Sequence, residues 1–258
     1  MEISAAADPR FEAVARLYGS SALARLGAAR VAVVGVGGVG SWAAEALVRS
    51  GVGALRLVDA DEVCVGNTNR QSHALAGTVG RPKVAVLAER FAAINPSLRM
   101  QAVGRFLTVD GLDLLDDCDA VLDCCDALAV KTALVAHCRR RRQPVVTVGS
   151  AGGRGDATRV RVRDLSRTEH DALLALLRKR LRQQHGFPRN PERYFGVPAV
   201  YSLENLRTPP PDAACAAAGG RLDCGGGLGS VMHVTASFGM AAAGRIIELL
   251  LRGHDGSG

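Results

Sequence analysis

The stretch RVAVVGVGGVGSW, residues Arg30 to Trp42, limits what this chain can become more than any other. A short apolar run passes straight into a cluster of four glycines, and a helix-forming segment, SWAAEALVRSG, follows and stops at Gly51. Gly35, Gly37 and Gly40 fit G-x-G-x-x-G at a strand-to-helix turn, where free backbone N–H groups and the helix dipole receive phosphates. The next run, ALRLVDAD, reads as a second buried strand with Asp59 at its end, placed to accept hydrogen bonds from ribose hydroxyls. This βαβ opening predicts a parallel sheet with a nucleotide cleft, and a glycine cluster that serves packing alone is the lesser alternative.

The alternation continues along the chain. A helix at about Lys83 to Asn95 is stopped by Pro96, AVLDCCD and PVVTVGSAGG supply further buried strands, and the helix-like ALAVKTALVAHCRRR lies between them. Strands alternating with helices predict an α/β chain built on a Rossmann-like, doubly wound, mostly parallel sheet. Beyond Gly155 the texture changes. ATRVRVRDL alternates like an antiparallel strand, and SRTEHDALLALLRKRLRQQ reads as a basic amphipathic helix. Leu173, Leu176, Leu177 and Leu181 are expected on its apolar face, with Arg178, Lys179, Arg180 and Arg182 opposite. NLRTPPPDAACAAAGGRLDCGGGLGS has no periodicity and reads as a linker or a functional crossover loop. VMHVTASFGMAAAGRIIELLLRG closes the chain as a long apolar helix. The expected organisation is one domain with a helical arm over 1–29, a nucleotide-binding core over 30–153 and a C-terminal extension over 154–258.

Composition narrows the class. With 258 residues, 48% of them hydrophobic, the chain can bury an ordinary soluble core. Its seven cysteines (Cys64, Cys118, Cys124, Cys125, Cys138, Cys215 and Cys224) are odd in number and form no CxxC pair. That pattern weighs against a secreted disulfide framework and against a tetrahedral zinc site. No uninterrupted apolar run approaches about 20 residues, and MEISAAADPRFE lacks the basic-then-apolar order of a signal peptide. A cytoplasmic location without a membrane partner is therefore expected. Lys and Arg number 32 against 25 Asp and Glu, a net +7, which allows a polyanionic partner or serves solubility alone.

Chemistry enters downstream of the glycine loop. Ser41 stands where a Walker A loop needs lysine, so a lysine that neutralises a triphosphate must come from elsewhere. Arg70 in DADEVCVGNTNRQ and Lys83 in GRPKVAVL can bracket a triphosphate and stabilise charge as pyrophosphate departs. Asp126 in LDCCDAL falls just past a strand's carboxyl end, where a carboxylate can hold Mg²⁺ against phosphate oxygens. Taken singly, each has a plainer reading: surface charges for Arg70 and Lys83, a helix N-cap for Asp126. Together they weigh against a nicotinamide- or flavin-dependent oxidoreductase. A nucleotide-sensing RNA-binding module without turnover gives no reason for Asp126 to accompany the phosphate-binding residues.

GVGGVGSW, DADEV, NTNRQ, GRPKV, INP and LDCCD, in this order and spacing, closely resemble the ThiF/MoeB superfamily, the adenylating fold also used by ubiquitin-activating enzymes. The resemblance implies an ATP site formed by Gly35, Gly37, Gly38, Gly40 and Asp61, with Asp59 on the ribose and Asn67, Arg70 and Lys83 on the phosphates. It makes Asp126 the magnesium ligand and the residue on which adenylation most depends. It also implies a homodimer in which an N-terminal arginine reaches the neighbouring protomer's ATP site. Arg16 in RFEAVARLYG is the counterpart, although the usual arginine-glutamine pair is not kept here.

Sulfur-activating members of the superfamily that adenylate a carrier protein commonly hold zinc with two CxxC pairs, which this chain lacks. RFEAVARLYG, VCVGNTNRQSHAL, GSAGGRGDATRVRVRDLSRTEHDALLALLRKRLR and RLDCGGGLGSVMHVTASFG instead resemble the tRNA threonylcarbamoyladenosine dehydratase family over nearly the whole chain. That resemblance implies an enzyme that spends ATP to adenylate the carboxylate of N6-threonylcarbamoyladenosine beside the anticodon, then closes a ring with net loss of water. Activation of a small ubiquitin-like or sulfur carrier protein at the same ATP site is the alternative. With tRNA as partner, Arg139 to Arg142, Arg159, Arg161, Arg163 and the 178–182 cluster are candidate phosphate contacts. A sulfur-relay or cysteine desulfurase partner stays open. Some relatives use a crossover-loop cysteine as a nucleophile, and Cys224 occupies such a loop. Ring closure needs no enzyme thioester, so a structural or redox role is expected for it.

Overall fold

The computed structural model describes residues 8–207 and 228–252. The arm forms two short helices, α1 (Glu12–Tyr18) and α2 (Ser20–Ala28). β1 (Arg30–Val34), α3 (Gly40–Arg49) and β2 (Ala54–Val58) build the βαβ opening. α4 (Lys83–Ile94), β3 (Arg99–Val103), β4 (Ala120–Asp123), α5 (Leu128–Arg140) and β5 (Val145–Val148) extend the alternation. The extension contributes β6 (Val160–Asp164), α6 (Ala172–Gln184), β7 (Pro198–Ser202) and α7 (Met232–Arg252).

All seven strands join one sheet in the order β3-β2-β1-β4-β5-β7-β6. Every pairing is parallel except β6 with β7, so the expected antiparallel element is the sheet's edge strand. β1 shows why its sequence reads as a continuous apolar run. Val31 and Val33 face a core that includes Leu47, Phe238 and Ile246, while Ala32 and Val34 face a second core with Leu134, Leu174 and Tyr201. Successive side chains point to opposite faces, and helices cover both. The extension is thus continuous with the sheet, its β7 lying between β5 and β6.

Three differences from the sequence reading have physical causes. The apolar face of α6 is Leu174, Leu177 and Leu181, whereas Leu176 is half exposed and Leu173 only partly buried. The buried face keeps Leu177 and Leu181 but is rotated toward Leu174, and Arg178 lies partly inside, donating to Thr168 Oγ1. β3 and β7 carry no clear signal. β3 is a second edge strand with mostly exposed side chains, and β7 is a five-residue PAVYS that finds its place only by pairing. α7 is 21 residues long with mean hydropathy 1.5, long and apolar enough to cross a membrane, which a count of uninterrupted apolar residues misses because Arg245 and Glu248 interrupt it. Here it packs against α3 and the sheet, burying Val234, Phe238, Ala242 and Ile246 as an i, i+4 stripe. Each such side chain contributes at most about 1.5–3 kcal/mol of burial energy, Ala242 less.

Most of the aperiodic Pro- and Gly-rich stretch, with Cys215 and Cys224, lies outside the described residues. Its two described ends meet at Gly153, whose N–H donates to Gly229 O (2.7 Å) and whose carbonyl accepts from Arg207 N–H (2.9 Å).

Candidate active site

The neighbours of β1 are β2 on one side and β4 on the other, so chain order reverses at β1 and a crevice opens at the carboxyl ends of the strands. A cleft of about 1240 Å³ lies there. Its floor is the glycine turn. Gly35 has φ +83°, and a Cβ on it would fall 2.9 Å from Cys124 O, while a Cβ on Gly40 would fall 1.9 Å from Gly35 O. These two glycines let the turn fold tightly against β4, and Gly35, Gly37 and Gly38 border the cleft itself.

Asp59 ties the turn to β2. Its Oδ2 accepts from Val36 N–H (2.8 Å) and its Oδ1 from Asp61 N–H (2.9 Å), with the residue only 7% exposed yet on the cleft wall. Asp61 lies 2.7 Å from Lys83 Nζ, and Lys83, the first residue of α4, keeps its side chain 5% exposed. Arg70 Nη1 donates to Gly66 O and Asn69 Oδ1, both at 2.9 Å, while its carbonyl accepts from Trp42 Nε1 and its stem lies over Gly38. Lys83, Arg70 and the glycine turn therefore face one cavity, across which Asp126 projects from the loop between β4 and α5. Asp126 is exposed and makes no hydrogen bond or ion pair among the described residues. It is not a helix cap, because the N-cap of α5 is Ala127.

Two expected residues lie elsewhere in this single chain. Asn67 is fully buried and does not border the cleft; its Oδ1 accepts from Cys64 N–H (3.1 Å) and closes the turn that carries Arg70. Arg16 is exposed on α1, paired with Glu12 one helical turn away at 3.5 Å, and borders no part of the cleft. Its placement follows from α1, a short helix with no fully buried residue.

Other site residues escaped the sequence reading. Beneath Asp126 lies a buried cluster in which Lys131 Nζ donates to Asp123 Oδ2 (2.7 Å) and Thr147 Oγ1 (3.2 Å), while Thr147 Oγ1 also donates to Asp123 Oδ2 (2.6 Å). Cys125 donates to the other oxygen of Asp123 through both its N–H and its thiol, so this carboxylate anchors the turn that delivers Asp126. Burial opposes the charge on Lys131, but Asp123 outweighs it and raises the lysine above its ordinary value. A lysine inside the apolar stretch AVKTALVA is the signal that points to such a pair. Burial, then the Asp123 charge, pushes the Cys124 and Cys125 thiols well up, which leaves them unreactive as nucleophiles. Phe106, 63% exposed, and Leu107 follow β3 and border the end of the cleft beyond Asp59. Ala151, Gly152 and Leu228–Ser230 border the other end, where Asn69 Nδ2 donates to Ser230 O (2.8 Å).

The ThiF family matches residues 12–255. A tRNA threonylcarbamoyladenosine dehydratase of Escherichia coli is 44% identical over 257 residues, covering 96% of each chain. Crystal structures of the E. coli tRNA N6-threonylcarbamoyladenosine dehydratase TcdA in complex with ATP and with AMP each superpose with a TM-score of 0.87, at 42% and 43% identity and 97% coverage of both chains. A glycine turn, an ordered pair of cations and a free carboxylate in one cleft, with similarity running nearly end to end, lead to one conclusion: this chain belongs to the ThiF family, among its tRNA threonylcarbamoyladenosine dehydratases.

Proposed function

We propose that this chain is an ATP-dependent tRNA threonylcarbamoyladenosine dehydratase that adenylates and then cyclises the modified base beside the anticodon. The observation that carries the reading is a single cleft joining the glycine turn, Arg70, Lys83 and the unpartnered Asp126 to a second end walled by Ala151, Gly152 and Leu228–Ser230. At about 1240 Å³ it exceeds the roughly 300–1000 Å³ of a site for one small ligand and accommodates a nucleotide with a second substrate.

A carboxylate is a poor electrophile because oxide would have to leave. Its oxygen attacks the α-phosphorus of ATP, the bond to the bridging oxygen breaks, and pyrophosphate departs. In this reading Asp59 orients the ribose and the N–H groups of the glycine turn bind phosphate oxygens. Lys83 exchanges Asp61 for the nucleotide, and together with Arg70 it stabilises charge on the departing pyrophosphate. Asp126 has the free oxygens that suit a magnesium ligand, since Mg²⁺ is usually held by one or two carboxylates plus phosphates. Bound there, the ion would neutralise phosphate charge. The resulting mixed anhydride has AMP as its leaving group, and an atom of the same carbamoyl side chain displaces it intramolecularly, which high effective molarity favours over hydrolysis.

The same reading includes a homodimer, with Arg16 entering the partner's cleft, and a cytoplasmic location beside the tRNA pool. Nothing in the proposed chemistry requires a sulfur-relay partner. The test is mass spectrometry of nucleosides from tRNA bearing threonylcarbamoyladenosine after incubation with protein, ATP and Mg²⁺. Wild type should remove one water from that nucleoside and Asp126→Ala should not. An unchanged nucleoside, with pyrophosphate exchange appearing only when a carrier protein is added, would transfer the cleft to the alternative reading.

A further inference from the structure

The arginines named as candidate tRNA contacts do not form one surface, and the structure separates them. Arg141 pairs with Asp116 (3.1 Å), Arg178 turns inward to Thr168, and Arg163 pairs with Glu169 (3.5 Å) on the edge strand, where Arg161 bonds nearby carbonyls. Those groups are occupied.

The remaining cations collect where α5 and α6 end side by side. Arg139 lies with its guanidinium against Gly196, and Arg140 is close enough to His185 for its charge to act there with burial in lowering that histidine. Arg182 donates to Pro188 O (3.2 Å) and lies over the Phe195 ring at 5.2 Å, while Phe187 packs edge-on against Phe195. These contacts join the last turn of α5, the last turn of α6 and the 186–196 segment into one continuous patch. Arg140, Arg142, Lys179, Arg189 and Arg193 are all exposed on or beside it. Among the described residues none of the five has a carboxylate partner, because the acids at hand are engaged: Asp116 with His137 and Arg141, Glu192 with Arg167. A helix dipole accounts for cations in the last turn of α5, but not for those on the 186–193 loop or for Lys179 in the middle of α6. Tyr194 adds an exposed aromatic at the patch, with Arg167 over its ring at 5.0 Å.

The patch is separated from the cleft by the length of a helix. The side chain of Asp171, the N-cap of α6, accepts from Ser150 N–H at the carboxyl end of β5, and the helix then runs 13 residues away, about 20 Å. We infer that this patch, comprising Arg140, Arg142, Lys179, Arg189 and Arg193, binds the phosphate backbone of the tRNA arm whose modified base enters the cleft. The inference rests on the proposed function for its ligand and on the geometry for its location. Four arginines and a lysine without carboxylate partners, displayed within one helix length of the cleft, suit a backbone that is read by charge and shape rather than by sequence.

The test is direct binding of tRNA to wild type and to the triple variant Arg140→Glu, Lys179→Glu, Arg193→Glu, as a function of salt. All three residues are exposed, so circular dichroism and ATP affinity should match wild type. The variant should bind tRNA at least about ten-fold more weakly, and its dependence of log Kd on log salt should be shallower by about 2 to 3, since each of the three lost phosphate contacts removes about 0.7–0.9 unit of slope. Binding within two-fold of wild type, or a wild type that binds no tRNA, overturns the patch. Nucleoside dehydration by wild type is scored separately. Weakened binding in the variant without any dehydration by wild type would keep the patch and reject the proposed chemistry.

Discussion

His73 shows how a single side chain near the cleft couples to conditions. It is almost wholly buried, neither ring nitrogen has a hydrogen-bond partner among the described residues, and burial, followed by the charges of Lys83 and Arg90, lowers it to about 4. An unfolded histidine titrates near 6.5, so between those values the unfolded chain holds a proton that the folded chain refuses. The contribution of His73 to stability is therefore fully present above about pH 6.5 and is lost as pH falls toward 4, by about 3 kcal/mol at most. Denaturant unfolding at pH 7, 5.5 and 4 should show a smaller loss for His73→Asn than for wild type; equal losses would remove His73 as the source. The same scale separates what spacing reveals from what it hides. Asp59, Lys83 and Asp126 were legible because each follows a strand end or opens a helix, and such positions meet at the carboxyl edge of a parallel sheet. Asn67 stands three residues from Arg70 and is equally polar, yet its amide closes a backbone turn. Sequence adjacency does not tell which of two polar neighbours turns inward.

At the scale of elements, the Asp123–Lys131–Thr147 cluster links β4, α5 and β5 beneath the loop that carries Asp126. Both members of the ion pair are fully buried, so removing one strands the other without water. Lys131→Met should cost about 3–5 kcal/mol in denaturant unfolding, and adding Asp123→Asn to it should recover part of that loss. A cost below about 1 kcal/mol would mean that the pair is not charged. α6 shows the limit of periodicity on the same scale. Its five leucines permit two overlapping faces that share Leu177 and Leu181, and packing against α5 chooses the one containing Leu174. Helical spacing fixes relative angles but not the rotation of the whole helix.

For the whole molecule, the described single chain leaves Arg16 on an outer helix away from its own cleft. The proposed homodimer places it in the partner's, which predicts complementation between defective protomers. Arg16→Ala and Asp126→Ala should each be inactive alone. Mixed by co-expression, they should recover about a quarter of wild-type activity, because half the dimers are hybrid and each hybrid has one intact site of two. No recovery, with hybrids demonstrated by mass, would place the role of Arg16 within one chain. The exposed apolar residues of the arm, Leu17 and Tyr18, lie beside Arg16 on α1, where a partner would cover them.

The sequence by itself determined the nucleotide turn, the parallel alternation and the carboxylate of Asp126 at a strand's end, because these depend on contacts between residues close in the chain and on the pleat of a strand buried on both faces. Only the tertiary structure decided that Asp123 and Lys131 form a buried pair and that Asn67 closes a turn. It alone separated the arginines spent on carboxylates from those left free. Those outcomes depend on which distant groups compete for each charge or hydrogen bond. That competition is settled when strands and helices from all parts of the chain come together.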